Sequence, residues 1–241
     1  MLPMSQKKNN FPKTHWSLVV QAGLGSDDER GRAALAALCE AYWHPVYRFL
    51  RRSGHQADKA RDLLQEFFAY FLTQTHLLKD LDRQRGRFRN YLLVALKHFL
   101  KRMPDIKHGV AVVPLESDVA DEERRYLTEP ATTDDPEKVF ERRWAIALLE
   151  RVFHQLRERF KREDKLEWYL TLEPLLAGDD DASYQKAAQL LGKTQGALRV
   201  AVHRLRGIYR EALRLEISHT VADPFDIDAE RRYLFSVLAR V

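Results

Sequence analysis

The chain has 241 residues, 45% hydrophobic and 31% charged, enough apolar material for one or two packed domains. Its single cysteine, Cys39, excludes a disulfide framework and a cysteine-built zinc site and suits a reducing compartment. No apolar run approaches the ~18 residues of a membrane span, and the basic N-terminus MLPMSQKKNNFPK leads into no apolar stretch, so the expectation is a cytoplasmic protein with no membrane partner.

The formal net charge is only +5, and its distribution says more. Lys79 to Lys107 holds nine Lys/Arg against three Asp/Glu, and Tyr184 to Arg214 holds seven against one. Between them, Glu116 to Glu141 holds ten acidic residues against three basic. Two basic blocks around an acidic one predict two polyanion-binding surfaces on separate modules. Solvated charged faces are the alternative.

In chain order, Ala33 to Arg52 carries Leu35, Leu38, Tyr42, Val46, Phe49 and Leu50 at helical spacing, with Pro45 as a kink or boundary and Gly54 as its end. Ala57 to Leu72 resumes with Ala60, Leu63, Leu64, Phe67, Phe68 and Phe71. Arg87 to Arg102 places Phe88, Leu92, Ala95, Leu96 and Phe99 on one face and Arg87, Asn90, Val94, Lys97 and Lys101 on another. Pro104 ends this amphipathic helix.

Periodicity fades from 104 to 136, where Pro114, Pro130, Pro136 and the acidic cluster read as a linker, at most ~100 Å if extended. It returns with Trp144, Leu148, Leu149, Val152, Leu156 and Phe160, then Trp168, Leu172, Leu175 and Leu176. After the loop at Gly178 to Asp181, Ser183 is the expected cap of the next helix. The chain is thus predicted to be all-α.

The most informative stretch is SYQKAAQLLGKTQGALRVAVHRLRGIYREAL. Tyr184, Ala187, Ala188 and Leu191 form the buried stripe of a short helix, and Gly192 can end it in the left-handed conformation. Thr194 supplies a cap for a second helix, with Leu198, Val202 and Leu205 inward and Gln195, Arg199, His203 and Arg206 outward. This is the packing logic of a helix-turn-helix whose second helix enters the major groove. Gln195 and Arg199 are then candidates for base edges, and Lys193, Thr194 and Arg206 for phosphates.

An enzyme is not expected, and no cofactor or metal is implied. There is no Gly-rich phosphate loop, nucleophile elbow, HExxH or CxxC, and the nine histidines show no metal-ligand spacing. Carboxylates concentrate in the linker, without apolar walls to raise their pKa for acid–base work.

Taken together, the chain resembles a bacterial RNA polymerase sigma factor of the extracytoplasmic-function (ECF) type. YWHPVYRFLRRSG and ARDLLQEFFAYFL resemble the family's first region-two helices, the second of which docks on the coiled coil of the polymerase β′ subunit. RGRFRNYLLVALKHFLKR resembles the helix that melts and reads the −10 element, and SYQKAAQLLGKTQGALRVAVHRLR the region-four helix-turn-helix that reads the −35 element. FPKTHWSLV is similar to leaders of one subset of such factors. The resemblance covers about residues 30–103 and 140–215. It implies a leader over 1–29, a region-two-like domain over 30–103, an acidic linker over 104–139, a region-four-like domain over 140–215 and a C-terminal extension over 216–241.

Asp62, Gln65 and Glu66 fall on the family's polymerase-docking positions. The −10 contacts implied are Arg83, Arg85, Arg87, Arg89, Asn90, Tyr91, Lys97, His98 and Lys101, with Arg83, Arg85, Arg87, Phe88 and Tyr91 suited to an unpaired base. Tyr91, His98 and Lys101 replace the family's usual Trp, Asn and Asp, implying a −10 preference unlike the commonest one, and Ala201 thins base readout in the recognition helix. The implied partners are core RNA polymerase (the β′ coiled coil and the β flap), promoter DNA and an anti-sigma protein. Alternatives of other classes are a stand-alone helix-turn-helix regulator and an RNA-binding adaptor.

In the extension, Pro224, Asp226 and Asp228 suit a helix start, followed by an apolar stripe at Tyr233, Leu234, Val237, Leu238 and Val241. So short a helix forms only when its stripe is buried. It either packs permanently as extra core or holds the two modules together until released.

Overall fold

The computed structural model describes residues 29–73, 87–102, 116–128, 135–178 and 180–239. The described residues form α-helices with two short 3-10 turns and no strand. In chain order these are α1 (Glu29–Arg52), α2 (Ala57–Thr73), α3 (Phe88–Arg102), α4 (Glu116–Thr128), α5 (Pro136–Arg162), α6 (Leu166–Leu172), α7 (Asp181–Leu191), α8 (Gln195–Ser218) and α9 (Ile227–Leu238). None is long and apolar enough to cross a membrane. Arg83, Arg85, Pro104, Pro114, Pro130 and Val241 lie outside the described residues.

Helices from both halves of the sequence share one core. Tyr42, Val46 and Leu50 of α1 are buried with Phe67 and Phe68 of α2, Leu92 and Leu96 of α3, and Trp144, Leu148 and Val152 of α5. Val202, Leu205 and Ile217 of α8 and Leu234 of α9 extend it. At about 25 cal/mol per Å² of apolar surface, this common burial is what holds the halves together.

Pro45 does not interrupt α1, which runs through it to Arg52. Proline has no N–H for the carbonyl four residues back, that of Ala41. Arg151 of α5 supplies the missing donor, its Nη1 lying 2.9 Å from the Ala41 oxygen. Gly54, at φ 93°, then turns the chain, its N–H donating to the Arg51 carbonyl at 3.1 Å.

The expected linker also differs, because it contains helix α4. An acidic segment remains extended only if its charges find no partners, and here they do. Glu122 is wholly buried and accepts from Arg48 at 2.5 Å, from Arg143 at 2.9 and 3.0 Å and from His44 at 2.8 Å. Burial pushes its carboxyl up, but hydrogen bonds from His44, Arg143 and Arg48 outweigh this and hold it far below the usual range. His44 shifts downward, chiefly through its own burial. Beside it, Glu123 accepts from Arg51 at 2.8 and 2.9 Å and from the Tyr47 hydroxyl at 2.6 Å. The linker is therefore stitched to α1 and α5 by paired charges.

Candidate nucleic-acid interface

Helices α7 and α8 are joined by a tight turn. Gly192 sits at φ 60° and ψ 36°, the left-handed conformation expected there, and its N–H closes onto the Ala188 and Gln189 carbonyls. The Thr194 hydroxyl accepts from the Ala197 N–H at 3.2 Å and starts α8. The start of α7 differs from expectation, since Asp180 is the cap and accepts from the N–H and hydroxyl of Ser183. A carboxylate outcompetes a hydroxyl at a helix N-terminus because it also meets the positive end of the dipole.

Tyr184 and Ala187 are buried, and Ala188 and Leu191 half-buried, beneath Leu198, Val202 and Leu205. Lys193, Thr194, Gln195, Arg199 and His203 are exposed. Arg199 pairs with Asp181 and lies 4.5 Å from the Tyr184 ring centre, which fixes its guanidinium across the α7–α8 seam.

Arg206 is placed otherwise. It is half-buried and donates Nη2 to the carbonyls of Leu175 at 3.0 Å and Gly178 at 2.8 Å, tying α8 to the preceding turn. Arg204 is instead exposed with Gly196, Val200 and His203. At 3.6 residues per turn, Arg206 lies ~40° from inward Val202, whereas Arg204 lies ~160° from it. That angle was available in the sequence and identifies Arg204 as the residue the outward set lacked. Gly196 and Gly207 have open space where a Cβ would project.

The second surface is α3. Phe88, Leu92, Leu96 and Phe99 are buried, while Asn90, Val94, His98 and Lys101 are exposed. Tyr91 is half-buried against Phe71, 5.6 Å between ring centres, and burial with Tyr70 nearby pushes its hydroxyl up to about 12. Lys97 is paired with Glu137 at the start of α5.

Arg87 and Arg89 do not join the exposed face. Arg89 is 2% exposed and donates Nε and Nη2 to the two oxygens of Glu230 at 2.9 and 3.1 Å. Arg87, part-exposed, lies 3.0 Å from the same carboxylate. Burial raises the Glu230 carboxyl against the opposing pull of Arg89 and Arg87. No periodicity on α3 indicates this acid, which lies 141 residues away.

On α2, Asp62 is exposed and Gln65 and Glu66 are half-buried, with Leu63, Leu64, Phe67 and Phe68 in the core beside them. The described residues thus form an all-α protein with two separate faces, one on α8 and one on α3. Comparison with protein-family models, curated proteins and solved structures finds no match to this chain.

Proposed function

We propose that the chain is a sigma factor of the ECF type, which binds core RNA polymerase and directs it to a subset of promoters. The observation that supports this best is the cationic outer face of α8, held against α7 by the left-handed turn at Gly192. An α-helix fits the ~12 Å major groove, and this one offers Gln195, Arg199, Val200, His203 and Arg204 toward it.

In this reading residues 140–215 form the −35 module, and residues 30–103 form the −10 module with Asn90, Tyr91, His98 and Lys101 at the melted strand. Lys193 and Thr194 hold phosphates at the start of α8, and Arg206 positions that helix. The chain itself performs no bond chemistry, which belongs to the polymerase. Asp62, Gln65 and Glu66 form the polar edge of α2 offered to the β′ coiled coil.

The test is capture of purified core polymerase by the intact chain, compared with Asp62→Ala/Gln65→Ala. The double variant is expected to stay folded and to lose polymerase affinity. Equal capture by both proteins removes the docking assignment. Failure of the parent chain to bind polymerase while binding duplex DNA specifically leaves a helix-turn-helix regulator instead.

A further inference from the structure

The C-terminal segment closes over the start of α3. The Phe88 N–H donates to the Thr220 carbonyl at 3.1 Å, and Arg87 pairs with Val221 in an isolated antiparallel bridge. From α9, Glu230 is fully buried and receives both Arg89 and Arg87. The Tyr233 ring centre lies 4.0 Å from the Arg89 guanidinium, and that of Trp144 lies 4.9 Å away. Arg89 directs its remaining terminal nitrogen to the Asn90 oxygen at 2.8 Å. All three of its nitrogens are therefore engaged.

Docking alone does not require this arrangement. Ile227, Leu234 and Val237 already bury the apolar stripe of α9. A buried ion pair commonly adds nothing over apolar side chains of similar volume. One carboxylate taking two parallel bonds from a guanidinium and a third contact from another arginine has the geometry in which arginines hold a phosphate.

We propose that Glu230 occupies, in the closed chain, the place of a nucleic-acid phosphate, so that α9 and a polyanion compete for Arg87 and Arg89. The proposal rests on the nucleic-acid reading above and adds its regulation. Promoter elements whose labels differ by about 25 base pairs lie ~85 Å apart at ~3.4 Å per pair. A compact chain of 241 residues has a radius of gyration of ~18 Å, and is thus about 45 Å across. Contact with both elements requires the halves to part, which opens the shared core as well as the pairing of α3 with α9. Lys97 with Glu137 is a second tie of the same kind, again an acid of the second half on a cation of α3.

The bridge supplies the test. Phe88 bonding to Thr220 makes Arg87 and Val221 a non-hydrogen-bonded antiparallel pair, whose Cα atoms lie ~4.5 Å apart, within disulfide range. Arg87→Cys/Val221→Cys is made in the full chain with Cys39→Ala, and binding of a labelled single-stranded oligodeoxynucleotide is measured at low salt. The reduced protein should bind at least about tenfold more tightly than the same protein oxidised, because only the reduced form can free Arg89. Glu230→Gln, with the native Arg87, should bind several-fold more tightly than the parent while keeping its helicity.

Equal affinity of the oxidised and reduced forms overturns the competition and leaves the nucleic-acid reading standing. No binding by the oxidised form, the reduced form and Glu230→Gln alike overturns the competition together with the assignment of α3 to a melted strand. The two failures are thereby distinguished.

Discussion

Arg151 Nη1 lies 2.9 Å from the carbonyl oxygen of Ala41, the acceptor that Pro45 leaves without its helical donor. The same guanidinium presents Nε to Glu216 of α8 at 2.7 Å. One side chain therefore repairs a proline-containing helix and joins α1, α5 and α8. Arg151→Ala should destabilise the protein by roughly 2–4 kcal/mol, since a charge-assisted bond is lost and a carbonyl is stranded. Pro45→Ala restores the backbone donor, so the cost of Arg151→Ala in that background should fall by about 1 kcal/mol. Urea unfolding of the four proteins measures this, and strict additivity would show that the Ala41 contact carries no energy.

Glu122 predicts an acid limit. Its folded carboxyl lies below the unfolded value, so its contribution is fully present above pH ~4.3 and diminishes as pH falls toward the folded pKa. Melting temperature should drop steadily on acidification below about pH 5. Glu122→Gln should cost roughly 3–5 kcal/mol at neutral pH by stranding Arg48 and Arg143, and should make the acid-side slope shallower. Parallel pH profiles for parent and variant would count against this assignment.

Two glycines of the α7–α8 pair should respond with opposite signs. Gly192→Ala meets no atom within 4 Å but must adopt φ 60°, so it should destabilise by about 1–2 kcal/mol. Gly207→Ala also meets open space, lies inside α8, and should stabilise by roughly 0.5–1 kcal/mol. Thermal melts of both variants compare turn geometry with helix propensity directly. Destabilisation by Gly207→Ala would mean that α8 needs that glycine for more than a bare backbone.

Arg204 and Arg206 should separate binding from folding. Arg204→Ala is expected to leave the melting temperature within error and to weaken duplex DNA, with the salt slope lower by about one if it contacts a phosphate. Arg206→Ala should instead lower stability by about 1–3 kcal/mol, because the Leu175 and Gly178 carbonyls lose their donor. A reversal of these two phenotypes would return Arg206 to the DNA-facing set.

Arg199 has a distinct expectation. A base-edge contact predicts that Arg199→Ala costs roughly 1–3 kcal/mol at one base and relaxes specificity there. Lys193→Ala should weaken all sequences about equally. Binding to a panel of single-base variants decides, and identical uniform losses would make Arg199 a phosphate contact.

What the sequence determined by itself is local. The 3.6-residue period placed the helices other than α4 and assigned the inward faces of α3 and α8, from Phe88 to Phe99 and from Leu198 to Leu205. Gly192 and Thr194 marked the turn because their roles depend only on neighbouring backbone. The tertiary structure alone decided which charges face solvent. Arg89 is buried because Glu230 meets it from 141 residues away, and Glu122 turns the supposed linker into a helix because Arg48 and Arg143 converge on it. Helical period is a property of consecutive residues. The partner of a charge is set by packing between distant ones, and at low dielectric that pairing determines whether an arginine can be buried at all.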